Sequence, residues 1–113
     1  MPTEQTKAVL DHHSEALSAE EITDAALDEI MADYHDDAVF VSNLSGVITG
    51  IDAIRPMFAS AAGAIPGFEK TGEHIEGEVG YVTWKADGIA FGTDTFVLRD
   101  AKIALQTVAL HFA

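Results

Sequence analysis

The chain has 113 residues, 48% of them hydrophobic and 22% charged, which suits one domain with a buried core and excludes bulk disorder. It has no cysteine, so disulfides, thiolate nucleophiles and cysteine-held metals are excluded. Its net charge is −13, from 19 acidic against 6 basic residues, and with no basic cluster to offset that field, nucleic acid and anionic membranes are disfavoured as partners.

The first stretch, MPTEQTKAVLDHH, lacks a basic segment followed by an apolar run, so no signal peptide is read. No apolar run approaches the ~20 residues that cross a bilayer, and a cytoplasmic protein is expected. Over 4–17, Val9, Leu10, His13, Ala16 and Leu17 recur at helical spacing and form one face, with His12 on the other. Ser18-Ala-Glu-Glu21 reads as a capping box, with Ser18 as N-cap. A second helix to about Tyr34 would carry Ile22, Ala26, Ile30, Met31 and Tyr34 as its apolar stripe.

At Asp37 the pattern changes to a strand, Ala38-Val-Phe-Val-Ser42, closed by the turn residues Asn43-Leu-Ser-Gly46. Val47 and Ile48 return the chain as a hairpin. A third helix is expected over 51–62, with Pro56 inside it forcing a short first turn or a kink. Gly63 to Gly67 is a loop. Strands follow at about 68–76, 78–86, 89–99 and 102–112, separated by Gly77, by the Asp87-Gly88 hairpin pair and by Asp100-Ala-Lys102. The order α-α-β-β-α-β-β-β-β predicts an α+β fold, a curved sheet wrapped over helices.

With YHDDAVFVSNLSGVITGIDAIRPMF in the middle and TDTFVLRDAKIALQTVALHF at the end, the chain resembles the nuclear transport factor 2-like superfamily. The nearest likeness is to its SnoaL-like and ketosteroid isomerase-like branch. The carrying features are an aromatic-x-D-D-A at a helix-to-strand junction, a G-x-x-A-I-R opening the third helix, and D-x-F…D-x-K-I across the last hairpin. The resemblance spans nearly the whole chain, 1–113, as a single domain. It implies a cone-shaped, mixed but mainly antiparallel sheet over three helices around one central apolar pocket. It also implies a homodimer through the outer face of the sheet. It does not imply one activity, because isomerases, cyclases, hydrolases, dehydratases and plain binders share the fold.

Asp94 is the first catalytic candidate. Period-two alternation groups Gly92, Asp94, Phe96 and Leu98 on one strand face, where a carboxyl among apolar neighbours should have a raised pKa. The resemblance places Asp94 at the neutral oxyanion-hole acid of ketosteroid isomerase, a standard example of a carboxylic acid kept protonated. The competing reading is an outward Asp94 paired with Arg99 or Lys102. His13 is the second candidate, facing inward on helix 1 where the resemblance puts an oxyanion-hole tyrosine. A core histidine satisfied by one backbone carbonyl is the alternative.

Ser42 falls where the resembled isomerase has its carboxylate base, and a lone hydroxyl cannot take a proton from carbon at neutral pH. Ser42 and Asn43 are instead expected to orient a ligand. No G-x-S-x-G elbow surrounds Ser42. Asp36 and Asp37 read as structural, setting the turn into the strand. Neither His35 beside them nor His74-x-Glu76 makes up a metal site, so neither metal nor cofactor is expected. Tyr34, Phe40, Phe58, Trp84, Phe96 and Phe112 suit an apolar cavity, with Gln106, Val108 and Leu110 facing in beside them and His111 facing out. Three functions compete: an acid–base isomerase, cyclase or hydratase of a small hydrophobic oxygenated molecule; a non-catalytic binder using the same pocket; and a dimerisation module with exposed Val79 and Tyr81.

Overall fold

A computed structural model describes residues 2–18, 22–61 and 65–113. Its elements run α1 (Pro2–Leu17), α2 (Asp24–Met31), β1 (Tyr34–Ser42), β2 (Gly46–Thr49), α3 (Ile51–Ala61), β3 (Glu69–Glu76), β4 (Val79–Ala86), β5 (Ile89–Arg99) and β6 (Lys102–Phe112). This is the expected order, α+β, with three helices and one sheet. The six strands form an open mixed sheet in the order β2-β1-β6-β5-β4-β3. Only the β1–β6 pair is parallel; all other neighbours are antiparallel.

The helices pack on one face of the sheet. Their apolar stripes bury Leu10, Leu27, Ile30, Ile54 and Phe58 against Tyr34, Phe40, Phe96, Leu98 and Ile103. Burying each such side chain contributes about 1.5–3 kcal/mol, and this burial stabilises helices as short as α2 more than propensity does. The approach of α1 to β4 is close because position 80 is glycine: a Cβ there would lie 2.9 Å from Leu10 Cδ1. None of the described helices is long and apolar enough to cross a membrane.

Two local expectations are corrected. The second helix is capped by Thr23, not Ser18. Thr23 is extended, and its Oγ1 accepts the Ala26 N–H at 3.1 Å. Ser18 Oγ instead donates back to the Ser14 carbonyl at 2.8 Å, and Glu21 lies outside the described residues. Tyr34 opens β1 rather than closing α2, because a distant segment pairs with it: Tyr34 lies opposite Ile103, and the Ile103 N–H donates to the Asp33 carbonyl at 2.7 Å. The β1–β6 register then slips between Tyr34 and Val39, leaving Asp36 and Asp37 exposed at the irregularity. Asp37 accepts from Arg99 at 3.3 Å. The helix α3 runs unbroken through Pro56.

Candidate functional site

The concave face of the sheet and the helices over it enclose a cavity of about 310 Å³. Phe40, Met57, Phe58, Phe68, Trp84 and Phe96 form its apolar walls, with Asp94, Gln106 and His13 as the polar groups at its deep end. Asp94 is the only carboxylate among the described lining residues, and no lysine or arginine joins it there. Of the two readings of Asp94, the structure has the inward one: alternation along β5 points it inward with Gly92 and Phe96, and Arg99 pairs with Asp37 rather than with Asp94.

Each oxygen of Asp94 accepts one N–H. Trp84 Nε1 donates to Oδ1 at 2.9 Å, and Gln106 Nε2 donates to Oδ2 at 3.1 Å. Register explains the first contact. Trp84 on β4 lies opposite Gly92 on β5, and only a glycine leaves room there: a Cβ at position 92 would meet the indole at 2.3 Å. The indole therefore lies across Gly92 and reaches Asp94, while Phe68 packs against it with ring centroids 5.4 Å apart. Burial raises the Asp94 pKa above the usual carboxylate value, and the Trp84 and Gln106 donors hold part of that rise back.

Behind Gln106 the polar contacts continue into the core. The Tyr34 hydroxyl donates to Gln106 Oε1 and lies 3.3 Å from His13 Nε2. Burial keeps the Tyr34 phenol protonated, reinforced by the charges of Asp94 and Asp33. His13 is fully buried, edge-on to Tyr34, Phe58 and Phe96. Burial, helped by the charge of His12, lowers its pKa to about 4, so the ring is neutral at pH 7. Among the described residues its Nδ1 has no hydrogen-bond partner, and it faces Asp33 Oδ2 at 3.9 Å.

The sequence reading did not single out Asp33 or give His12 a role. His12 Nδ1 donates to Asp33 at 2.8 Å and its Nε2 to Glu29 at 3.0 Å. Two carboxylate acceptors require both ring nitrogens to carry protons, and these hydrogen bonds, Asp33's first, raise the His12 pKa. The signal that could have found Asp33 is its place next to a buried aromatic at the end of a helix, but its partners come from α1.

The expected site residues therefore divide. Asp94, His13, Phe40, Phe58, Trp84, Phe96 and Gln106 line the cavity, and Tyr34 lies just behind it, joining His13 to Gln106. Ser42 and Asn43 are elsewhere engaged. Ser42 Oγ accepts the N–H groups of Leu44 at 2.9 Å and Ser45 at 3.4 Å, closing the β1–β2 turn. The Asn43 amide donates to the Leu110 carbonyl at 2.9 Å and accepts the Leu110 N–H at 3.1 Å, extending the β1–β6 ladder through a side chain. Backbone groups have claimed both, the turn for Ser42 and β6 for Asn43, and neither lines the cavity. Phe112 lies beyond the helices and is exposed.

The family model for the SnoaL-like domain matches residues 15–106. No curated protein matches the chain. Among solved structures, an NTF2-like protein of unknown function from Burkholderia xenovorans superposes with a TM-score of 0.80 at 21% identity, over 100% of this chain and 88% of that one. A SnoaL-like protein of unknown function from Burkholderia thailandensis gives 0.74 at 16% identity, over 100% and 99%. A Kribbella flavida protein provisionally described as a ketosteroid isomerase gives 0.72 at 20% identity, over 98% and 81%. At these identities the likeness is one of fold.

Proposed function

The chain belongs to the SnoaL-like domain family, and on that premise we propose that it binds a small hydrophobic, oxygen-bearing molecule and performs acid–base chemistry on it through Asp94. The observation that carries this reading is a carboxylate raised in pKa, the only one among the described lining residues, in an apolar cavity of about 310 Å³. As an anion, Asp94 retains lone pairs beyond the two N–H groups it accepts and can take a proton from a bound substrate. Burial makes the protonated form accessible, so the same group can return that proton elsewhere on the molecule. Isomerisation, cyclisation and hydration all fit this exchange. The steroid isomerase reaction fits less well, since Ser42, which holds a turn, stands where the resemblance places that enzyme's carboxylate base.

His13 is a weaker candidate for direct contact, because its Nε2 is turned to Tyr34 and its Nδ1 to Asp33. That same feature favours the second reading, a non-catalytic binder with one polar anchor. A panel of ketones, enones and epoxides tested against Asp94→Asn separates the two. General acid–base catalysis contributes about 10²–10⁴-fold, so turnover of a true substrate should fall by at least about 100-fold while binding is retained. Unchanged turnover would remove Asp94 from catalysis. Ligands bound without turnover by the wild type would favour the binder.

The partner of the same kind is a second copy of the chain, joined through the outer face of the sheet. Two rows across four strands there, Tyr81-Thr95-Thr107-Val41 and Val79-Val97-Leu105-Val39, carry no charge.

A further inference from the structure

The hydrogen bonds from His13 to Asp94 have a direction. Tyr34 has one hydroxyl proton, and it goes to Gln106 Oε1. The contact between the Tyr34 oxygen and His13 Nε2 must then be a donation from Nε2–H. The Gln106 amide, with its oxygen turned to Tyr34, presents its N–H to Asp94. The chain therefore runs His13 → Tyr34 → Gln106 → Asp94, and it ends on an ionised carboxylate. It also leaves a bare lone pair on buried His13 Nδ1, facing the Asp33 carboxylate at 3.9 Å. That end of the arrangement is electrostatically unfavourable.

Reversing every member gives a second arrangement of the same atoms. Protonated Asp94 donates from Oδ2 to Gln106 Oε1, the amide having turned over. Gln106 N–H donates to the Tyr34 oxygen, Tyr34 O–H donates to His13 Nε2, and the imidazole proton sits on Nδ1, pointing at Asp33. Asp94, Gln106 and Tyr34 keep their partners, and the orphaned nitrogen, still 3.9 Å from Asp33, now faces that anion as an N–H rather than as a lone pair. The proton count balances: Asp94 gains one proton from solvent or substrate, and His13 releases its Nε2 proton to solvent and takes one from solvent at Nδ1, so the ring stays neutral and the side chains between them only reorient.

We propose that His13, Tyr34 and Gln106 form a reversible chain whose direction follows the protonation of Asp94, and that Asp33 is a positioning residue stabilising the far end in the protonated state. The ionised form is favoured at the Asp94 end, where two N–H groups converge. The protonated form is favoured at the Asp33 end. The other charged groups at that end are His12, which bridges Asp33 and Glu29, and Glu29 itself. They hold Asp33 in place without contacting His13 Nδ1. A single carboxylate could thus serve as acceptor and donor in turn with its hydrogen-bonding satisfied in both roles. The inference builds on the acid–base reading of Asp94, but its test needs no substrate, so a failed switch and a failed turnover assay are separate results.

The test is nitrogen NMR of the His13 ring at neutral pH. Wild type is expected as the Nε2–H tautomer. In Asp94→Asn, Trp84 Nε1–H fixes the new amide with its oxygen toward the indole and its N–H toward Gln106. Gln106 must then present its oxygen, and His13 should switch to Nδ1–H. In Tyr34→Phe the chain is cut, and His13 should be Nδ1–H whether position 94 is Asp or Asn. The same tautomer in wild type and Asp94→Asn overturns the proposal. The role of Asp33 is read separately, from the carboxyl carbon titration of Asp94. Asp33→Asn should lower the Asp94 midpoint in the wild-type background and leave it unmoved in Tyr34→Phe. An equal fall in both backgrounds would mean a field acting through space, and Asp33 would lose its role.

Discussion

His13 shows how one side chain ties stability to pH. It titrates near 4 in the fold, against a usual 6.5, because burial penalises its charged form. The fold therefore favours the neutral ring. That contribution is fully present above pH 6.5 and is lost as pH falls toward 4, amounting to roughly 3 kcal/mol. Asp33 and Asp94 work in the opposite sense, since their raised values add stability as pH falls. The His13 term is therefore read as a difference: denaturation of wild type and of His13→Gln across pH 4–7, with wild type losing stability on acidification more steeply than the variant. Parallel curves would mean that His13 is not held neutral by the fold. The sequence offered this residue and Asp94 as inward candidates, because each sits on an apolar face, but for Asp94 it left an outward, ion-paired reading open. It could not show what their polar atoms meet. The partners Asp33, Gln106 and Trp84 come from the α2–β1 turn, β6 and β4, and Ser42 and Asn43, which have the right parity or position for a ligand, are taken by backbone groups.

At the scale of elements, β4 and β5 build the polar end of the cavity through one glycine. Gly92→Ala would put a methyl group where the Trp84 indole lies. The ring must move, and such overpacking costs about 1–3 kcal/mol. The indole N–H would leave Asp94, and the carboxyl would lose a donor that favours its anion. Denaturation should show that loss of stability, and the Asp94 carbon titration should shift upward; no change in either would show that the ring adapts in place. The strands of this half of the chain were readable to within a residue at most ends, since alternation and turn residues are local signals. The start of β1 was not. Tyr34-His-Asp-Asp37 has no strand pattern of its own, and only parallel pairing with β6, about seventy residues later, draws Tyr34 into the sheet.

Over the whole molecule, charge and shape pull apart. The chain carries a net −13, yet the outer face of the sheet has two uncharged rows, and Val79 and Tyr81 there are 46% and 44% exposed. Two copies meeting through that face would bury it, as monomers rarely leave large apolar patches open. Their like charges would oppose the approach, and salt screens such repulsion over about 10 Å at 0.1 M. Sedimentation is therefore expected to show a dimer that tightens as salt is added. Thr107→Glu, on the central strand, should give a monomer that keeps its fold. A wild-type chain that stays monomeric at every salt concentration would leave the face without this partner.

The position of Trp84 has a practical consequence. It is the only tryptophan in the chain, it forms part of the cavity wall, and its indole nitrogen is bonded to the Asp94 carboxylate there. Its emission should thus respond to whatever enters the cavity and to the ionisation of Asp94, with no background from other indoles. The protein carries its own optical reporter, and a ligand library can be screened on the unlabelled chain before any reaction is known.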